Sequence, residues 1–241
     1  MKLWGKEILK VFAIIFGVLI LSTVSAEHIK VSPDLKIIVN GKEIPVSKEK
    51  IGKIEKLLNS KNATLGDIIK IASPECLKSF SYDEMLLLQM KFPVPDDIDK
   101  CSNIVKGKMY LDNRISSINK KTIDGIIPLL LMGQSDMSVS SYAPIIEYSA
   151  DTRVLLPPYF PVQHIGAGAG LFKKTNDGSE LIRIVVKTGT YKSYIEASSK
   201  YYVSESGYYR VCGEHRVIDE RCVPSYWEGH SQTEWEYVKA N

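Results

Sequence analysis

What is scarce in this chain excludes more than its ordinary bulk composition does. Its 241 residues hold four histidines and four cysteines, and the formal net charge is only +3. So small a basic excess argues against a nucleic-acid partner, whose binding is driven by phosphate neutralisation. The signatures of familiar chemistry are missing as well. Gly133-Gln134-Ser135-Asp136-Met137 fails the nucleophile-elbow pattern at its fifth position, and Glu214-His215 runs into Arg216 instead of completing a helical zinc site. No Gly-rich phosphate loop ends in Gly-Lys-Ser/Thr, and no fixed-period repeat is visible. Neither catalysis nor a cofactor is expected from these absences. Beyond the first 26 residues no apolar run approaches the ~20 residues of a spanning helix. The best later stretch, Ile126–Met132, contains Pro128.

The one long apolar run stands at the start. Lys2, Lys6 and Lys10 precede Val11–Leu21, and Val24 and Ala26 follow at the positions of a small-residue cleavage signal. A basic start, a short apolar middle and a V-x-A end predict a secretory signal peptide over residues 1–26, with a retained anchor as the rival reading. Cleavage after Ala26 leaves 28 basic and 27 acidic residues. The expected location is therefore secreted or cell-surface.

The cysteines agree with export. Their number is even, and exported thiols meet oxidising conditions, so Cys76–Cys101 and Cys212–Cys222 are the expected pairs. A sharper rival is zinc on Cys212, His215, Cys222 and His230, although this spacing matches no standard zinc pattern. Asn62-Ala63-Thr64 is a glycosylation sequon, which fits an exported surface.

The periodicities predict an α+β protein: a small disulfide-stapled helical part, then a β-rich, hairpin- or sandwich-like part. Residues 27–110 read as a hairpin turning at Asn40-Gly41, followed by helices opened by Ser47, by Thr64-x-x-Asp67 and by the capping box Ser81-x-x-Glu84. Residues 111–165 read as an irregular, Pro-rich connection with edge strands, because prolines at 157, 158 and 161 remove backbone donors. Residues 166–241 read as a β-rich domain, in which Ile182, Ile184 and Val186 share one strand face.

Three features are candidate contacts. Gly166, Gly168 and Gly170, with Leu171 and Phe172, form a smooth apolar stretch suited to close approach in a membrane or assembly. Its G-x-G-x-G spacing departs from a dinucleotide fingerprint. Tyr226, Trp227, Trp235 and Tyr237 offer faces for stacking on a ligand such as a sugar ring, or else fill the core. Glu234 and Glu236 share a strand face at a spacing that can serve the paired carboxylates of a hydrolase, but such pairs are commonplace on surfaces. The leading expectation is a non-enzymatic exported protein that binds or assembles outside the cytoplasm, with a cell-surface component, a membrane or another copy of itself as partner. The alternatives are an antimicrobial or toxin acting on other cells' envelopes, and a secreted hydrolase built on Glu234, Glu236 and His230.

Overall fold

A computed structural model describes residues 28–60, 63–92, 94–95, 102–111 and 127–241. The strands are β1 (His28–Val39), β2 (Lys42–Ile44), β3 (Ile104–Leu111), β4 (Ile127–Val139), β5 (Ile145–Leu156) and β6 (Val162–Thr175). They continue as β7 (Gly178–Lys192), β8 (Tyr194–Tyr202), β9 (Gly207–Ile218), β10 (Cys222–Val223), β11 (Tyr226–Gln232) and β12 (Glu236–Val238). Among the described residues, four helices lie between β2 and β3: α1 (Lys48–Asn59), α2 (Leu65–Ala72), α3 (Pro74–Leu77) and α4 (Tyr82–Leu87).

Strands take 59% of the described residues and helices 16%, so the protein is mostly β and the α+β expectation is corrected. The helices form no stapled part of their own. They lie on a seven-stranded sheet of order β11-β9-β6-β7-β1-β2, with β12 also paired to β9. A five-stranded sheet, β10-β3-β4-β5-β8, faces it. The first region is woven into the rest, because β1 runs parallel to β7, with Ile37 opposite Ile184 and Val39 opposite Val186.

Two apolar layers result. Leu129, Leu131, Ile146, Ile165, Ala167, Val185, Val211 and Val217 pack between the sheets. Ile37, Val39, Ile184 and Val186 pack with Ile54, Leu58, Ile68 and Leu88 beneath the helices. Strand β6 shows how one sequence feeds both. Its alanines and Ile165 face the second sheet, while its glycines face the helices. A methyl at Gly168 would meet Leu65 Cδ1 at 3.3 Å, and one at Gly166 would meet Leu87 Cδ2 at 3.3 Å. The glycine stretch is thus the seat of the helical layer.

The region read as irregular contributes β4 and β5, paired along most of their lengths. In β4 the inward positions run Leu129, Leu131, Gly133, Ser135, and intervening Leu130 and Met132 hide that alternation in the sequence. The prolines at 157, 158 and 161 fall in the turn after β5, where no ladder bond is lost.

Candidate functional site

Strand β9 alternates sharply. Its odd positions, including Val211, His215 and Val217, point between the sheets, and its even positions, Arg210, Cys212, Glu214 and Arg216, point outward. The alternation separates two polar clusters that the sequence reading merged.

The inward cluster is a sealed chain of hydrogen bonds. The Ser135 and Ser231 hydroxyl oxygens lie 2.6 Å apart, and Ser231 Oγ lies 2.7 Å from His215 Nε2. His215 Nδ1 lies 3.1 Å from Thr152 Oγ1, which donates to the Gly166 carbonyl at 2.8 Å. That last bond fixes the direction of the others. Thr152 has spent its proton, so Nδ1–H donates to it, and Nε2 accepts from the Ser231 hydroxyl. Burial lowers the His215 pKa to about 3, and the nearby His230 charge adds to this. A neutral ring suits the network, because a proton on Nε2 would face the hydrogen of Ser231. The Ser231–His215 distance is that of a nucleophile and its base, but both residues are buried at 3% exposure or less. No substrate reaches them. The chain is a polar clip, joining Ser135 on β4 and Thr152 on β5 to β6, β9 and β11 of the facing sheet.

The outward cluster lies on the helix-bearing side of the seven-stranded sheet, on β9 and the terminal strand β11, with the Glu214 Cβ close to Leu65 over Gly168. Glu214 of β9 stands opposite His230 of β11, and Arg216 opposite Glu228. Glu214 Oε2 is 2.5 Å from His230 Nε2, and the Arg216 guanidinium is 3.5 Å from Glu228. Glu214 is fully buried, while the His230 side chain is 49% exposed. Burial raises the Glu214 carboxyl pKa to about 8, with His230 pulling the other way. His230 is raised above its ordinary value, first by its hydrogen bond to Glu214. The pair therefore holds protons strongly. Sequence reasoning missed Glu214 and Glu228. The available signal was the period-two polar row Arg210, Cys212, Glu214, Arg216 inside a strand whose other positions belong to the core.

A third polar region is a groove of about 600 Å³ on the outer face of the five-stranded sheet. Asp136 and Ser138 of β4, Glu147 and Ser149 of β5, and Glu196, Ser198 and Lys200 of β8 line it. Lys200 is paired with Glu147 at 2.5 Å, leaving an acidic surplus. Tyr194 donates to Glu196 at 2.8 Å. Tyr194 and Tyr202 stand half-exposed and exposed at the two ends of β8, on the groove side by period two.

The expected staples are corrected. Cys212 belongs to the layer beneath the helices and Cys222 to the layer between the sheets, so a sheet separates their sulfurs. The same separation breaks up the four-residue zinc reading, since His215 points inward while Cys212 and His230 point outward. Cys76 is a free thiol beside Ser73, and there is no disulfide among the described residues. Cys101 and Asn62 lie outside the described residues, as does the expected signal peptide.

The aromatic candidates are dispersed. Trp227 packs between the sheets over Gly107, where a Cβ would fall 1.9 Å from its indole nitrogen. Trp235 lies under the Arg210 guanidinium, 4.6 Å from the ring centre. Tyr237 is exposed and makes an edge contact with Tyr208 at 5.3 Å, and Tyr226 is exposed. Leu171 and Phe172 are fully buried, on opposite faces of β6. Glu236 lies on β12 opposite Tyr209, away from His230 on β11. No protein-family model, curated protein or solved structure matches the chain.

Proposed function

We propose that this is an exported, non-enzymatic binding protein that takes a hydroxyl-rich ligand, a carbohydrate segment, in the groove of the five-stranded sheet. The observation that carries this reading is the chemistry of that face. Carboxylates of Asp136 and Glu196 are acceptors for hydroxyl donors, the hydroxyls of Ser138, Ser149 and Ser198 can donate and accept, and Tyr202 offers an exposed ring at one end, while at the other the Tyr194 ring carries the Arg153 guanidinium 5.4 Å from its centre. The helices occupy the outer face of the other sheet, so the two faces differ in kind. Export rests on the basic and apolar pattern of residues 1–26, and the groove is the part that would meet a ligand outside the cytoplasm. The membrane-active alternative loses support, because Gly166–Phe172 is buried on both faces of a central strand.

The test is titration of the purified protein with a panel of soluble polysaccharides from cell surfaces, followed by calorimetry. Binding to at least one of them is expected, with at least a tenfold loss in Ser198→Leu and in Glu196→Gln. Failure of the whole panel, or unchanged affinity in both variants, would overturn the assignment. Amino-terminal sequencing of material from the medium should begin at Glu27; a sequence beginning at Met1 would sink the export reading.

A further inference from the structure

We infer that Glu214, Glu228 and His230 form a binding site for a divalent first-row transition-metal ion, with zinc the best match to the donors. One ligand atom from each residue already lies within 4.8 Å of the other two. Zinc takes oxygen and nitrogen ligands at about 2.0–2.2 Å, so only small side-chain rotations separate this arrangement from coordination. The three residues sit on two paired strands, two of them directly across the ladder from each other, which fixes their backbones.

The second observation is the state of Glu214. Its side chain has no solvent exposure, and among the described residues Oε1 has no hydrogen-bond donor. A buried carboxylate oxygen without a donor is costly unless something positive meets it. Glu228 and His230 lie between Glu214 and solvent, and their side chains, 21% and 49% exposed, give an ion a way in. His230 would coordinate through Nε2, the nitrogen that already faces Glu214. Arg216, 3.5 Å from Glu228, orients that carboxylate from the side. Imidazole with two carboxylates suits zinc and its neighbours better than the all-oxygen sets preferred by calcium or magnesium. Three protein ligands also leave a position open to water or to an outside group. This site is on the opposite sheet from the groove, and neither depends on the other.

The test uses the purified protein stripped with chelator and titrated with Co²⁺ at pH 7.5, read by visible absorption and then by displacement with Zn²⁺. One equivalent of Co²⁺ is expected, released by one equivalent of Zn²⁺. Glu214→Gln and His230→Gln should each weaken binding at least tenfold, and His164→Gln, at the distant Asp83 contact, should leave it unchanged. Proton NMR of the unmutated protein supplies a readout that no folding defect can mimic: Co²⁺ should shift the His230 ring protons strongly. The assignment fails if no saturable binding occurs below about 1 mM, if His230→Gln titrates like the parent, or if the His230 resonances stay in place.

Discussion

At the residue scale, His215 shows how a core can be polar and still closed. The Ser135–Ser231–His215–Thr152 chain is buried throughout, so removing the Ser231 donor leaves the His215 ring nitrogen without its hydroxyl partner. Ser231→Ala should destabilise the protein by about 1–3 kcal/mol in urea unfolding, the cost of an unsatisfied buried group. The ring also carries a pH dependence. Its pKa falls from about 6.5 unfolded to about 3 folded, so the unfolded chain binds the extra proton. The stability this residue contributes is whole above pH 6.5 and is lost as pH falls toward 3, at up to ~1.4 kcal/mol per pH unit. Glu214 acts in the opposite sense, losing stability as pH rises from its ordinary value of 4.5 through about 8. The two slopes oppose each other between pH 4.5 and 6.5, so the informative quantity is a difference. In chelator-containing buffer, the stability advantage of the parent over His215→Gln should shrink as pH drops below 6.5. A gap that stays constant down to pH 4 would mean the ring is not held neutral.

At the scale of elements, much of the first hundred residues was legible because its signals are local. Asn40 and Gly41 both take positive φ, 51° and 82°, as a two-residue hairpin turn demands. Thr64 with Asp67 and Ser81 with Glu84 form complete capping boxes. Ser81→Ala should therefore cost about 1 kcal/mol, read as a lowered denaturant midpoint with an unchanged slope. What the sequence hid was long-range. The glycines of β6 carry no mark that says which neighbour they admit, and the polar row of β9 acquires meaning only when β11 brings His230 and Glu228 beside it. The cysteine parity argument failed for a related reason: proximity along the chain says nothing of which side of a strand each sulfur takes. The glycines give a graded prediction. At Gly168 a methyl meets the flexible tip of Leu65 at 3.3 Å, whereas at Gly133 it would lie 2.2 Å from the clipped His215 ring. Gly168→Ala should cost under about 1 kcal/mol, and Gly133→Ala well above it, in the ~1–3 kcal/mol range of overpacked cores or beyond.

At the scale of the whole molecule, the decisive feature is that β1 enters the seven-stranded sheet between β2 and β7. Its parallel partner is more than a hundred residues later in the chain, since His28 pairs with Gly178 and Val39 with Val186. The helices connect β2 to the rest and lie on β1, β6 and β7, so they have no apolar surface that belongs to them alone. A chain built this way gains little from forming one half first, and unfolding should be a single event even though the sequence reads as two unlike halves. Native-state hydrogen exchange is the measurement. The amides of Ile68 and Ile69 in α2 should open with nearly the same free energy as that of Leu131 in β4, and Ile37→Ala, at a fully buried position of β1, should lower all three together by about 2–5 kcal/mol. If the helical amides opened several kcal/mol below the β4 amide, or if Ile37→Ala loosened the helices and left β4 untouched, the protein would be two cooperative units sharing a sheet edge. The burial of Ile37 between Ile184 and the helices makes the opposite case. Its loss reaches the helical layer directly and the inter-sheet layer through β7, whose Val185 faces the other side.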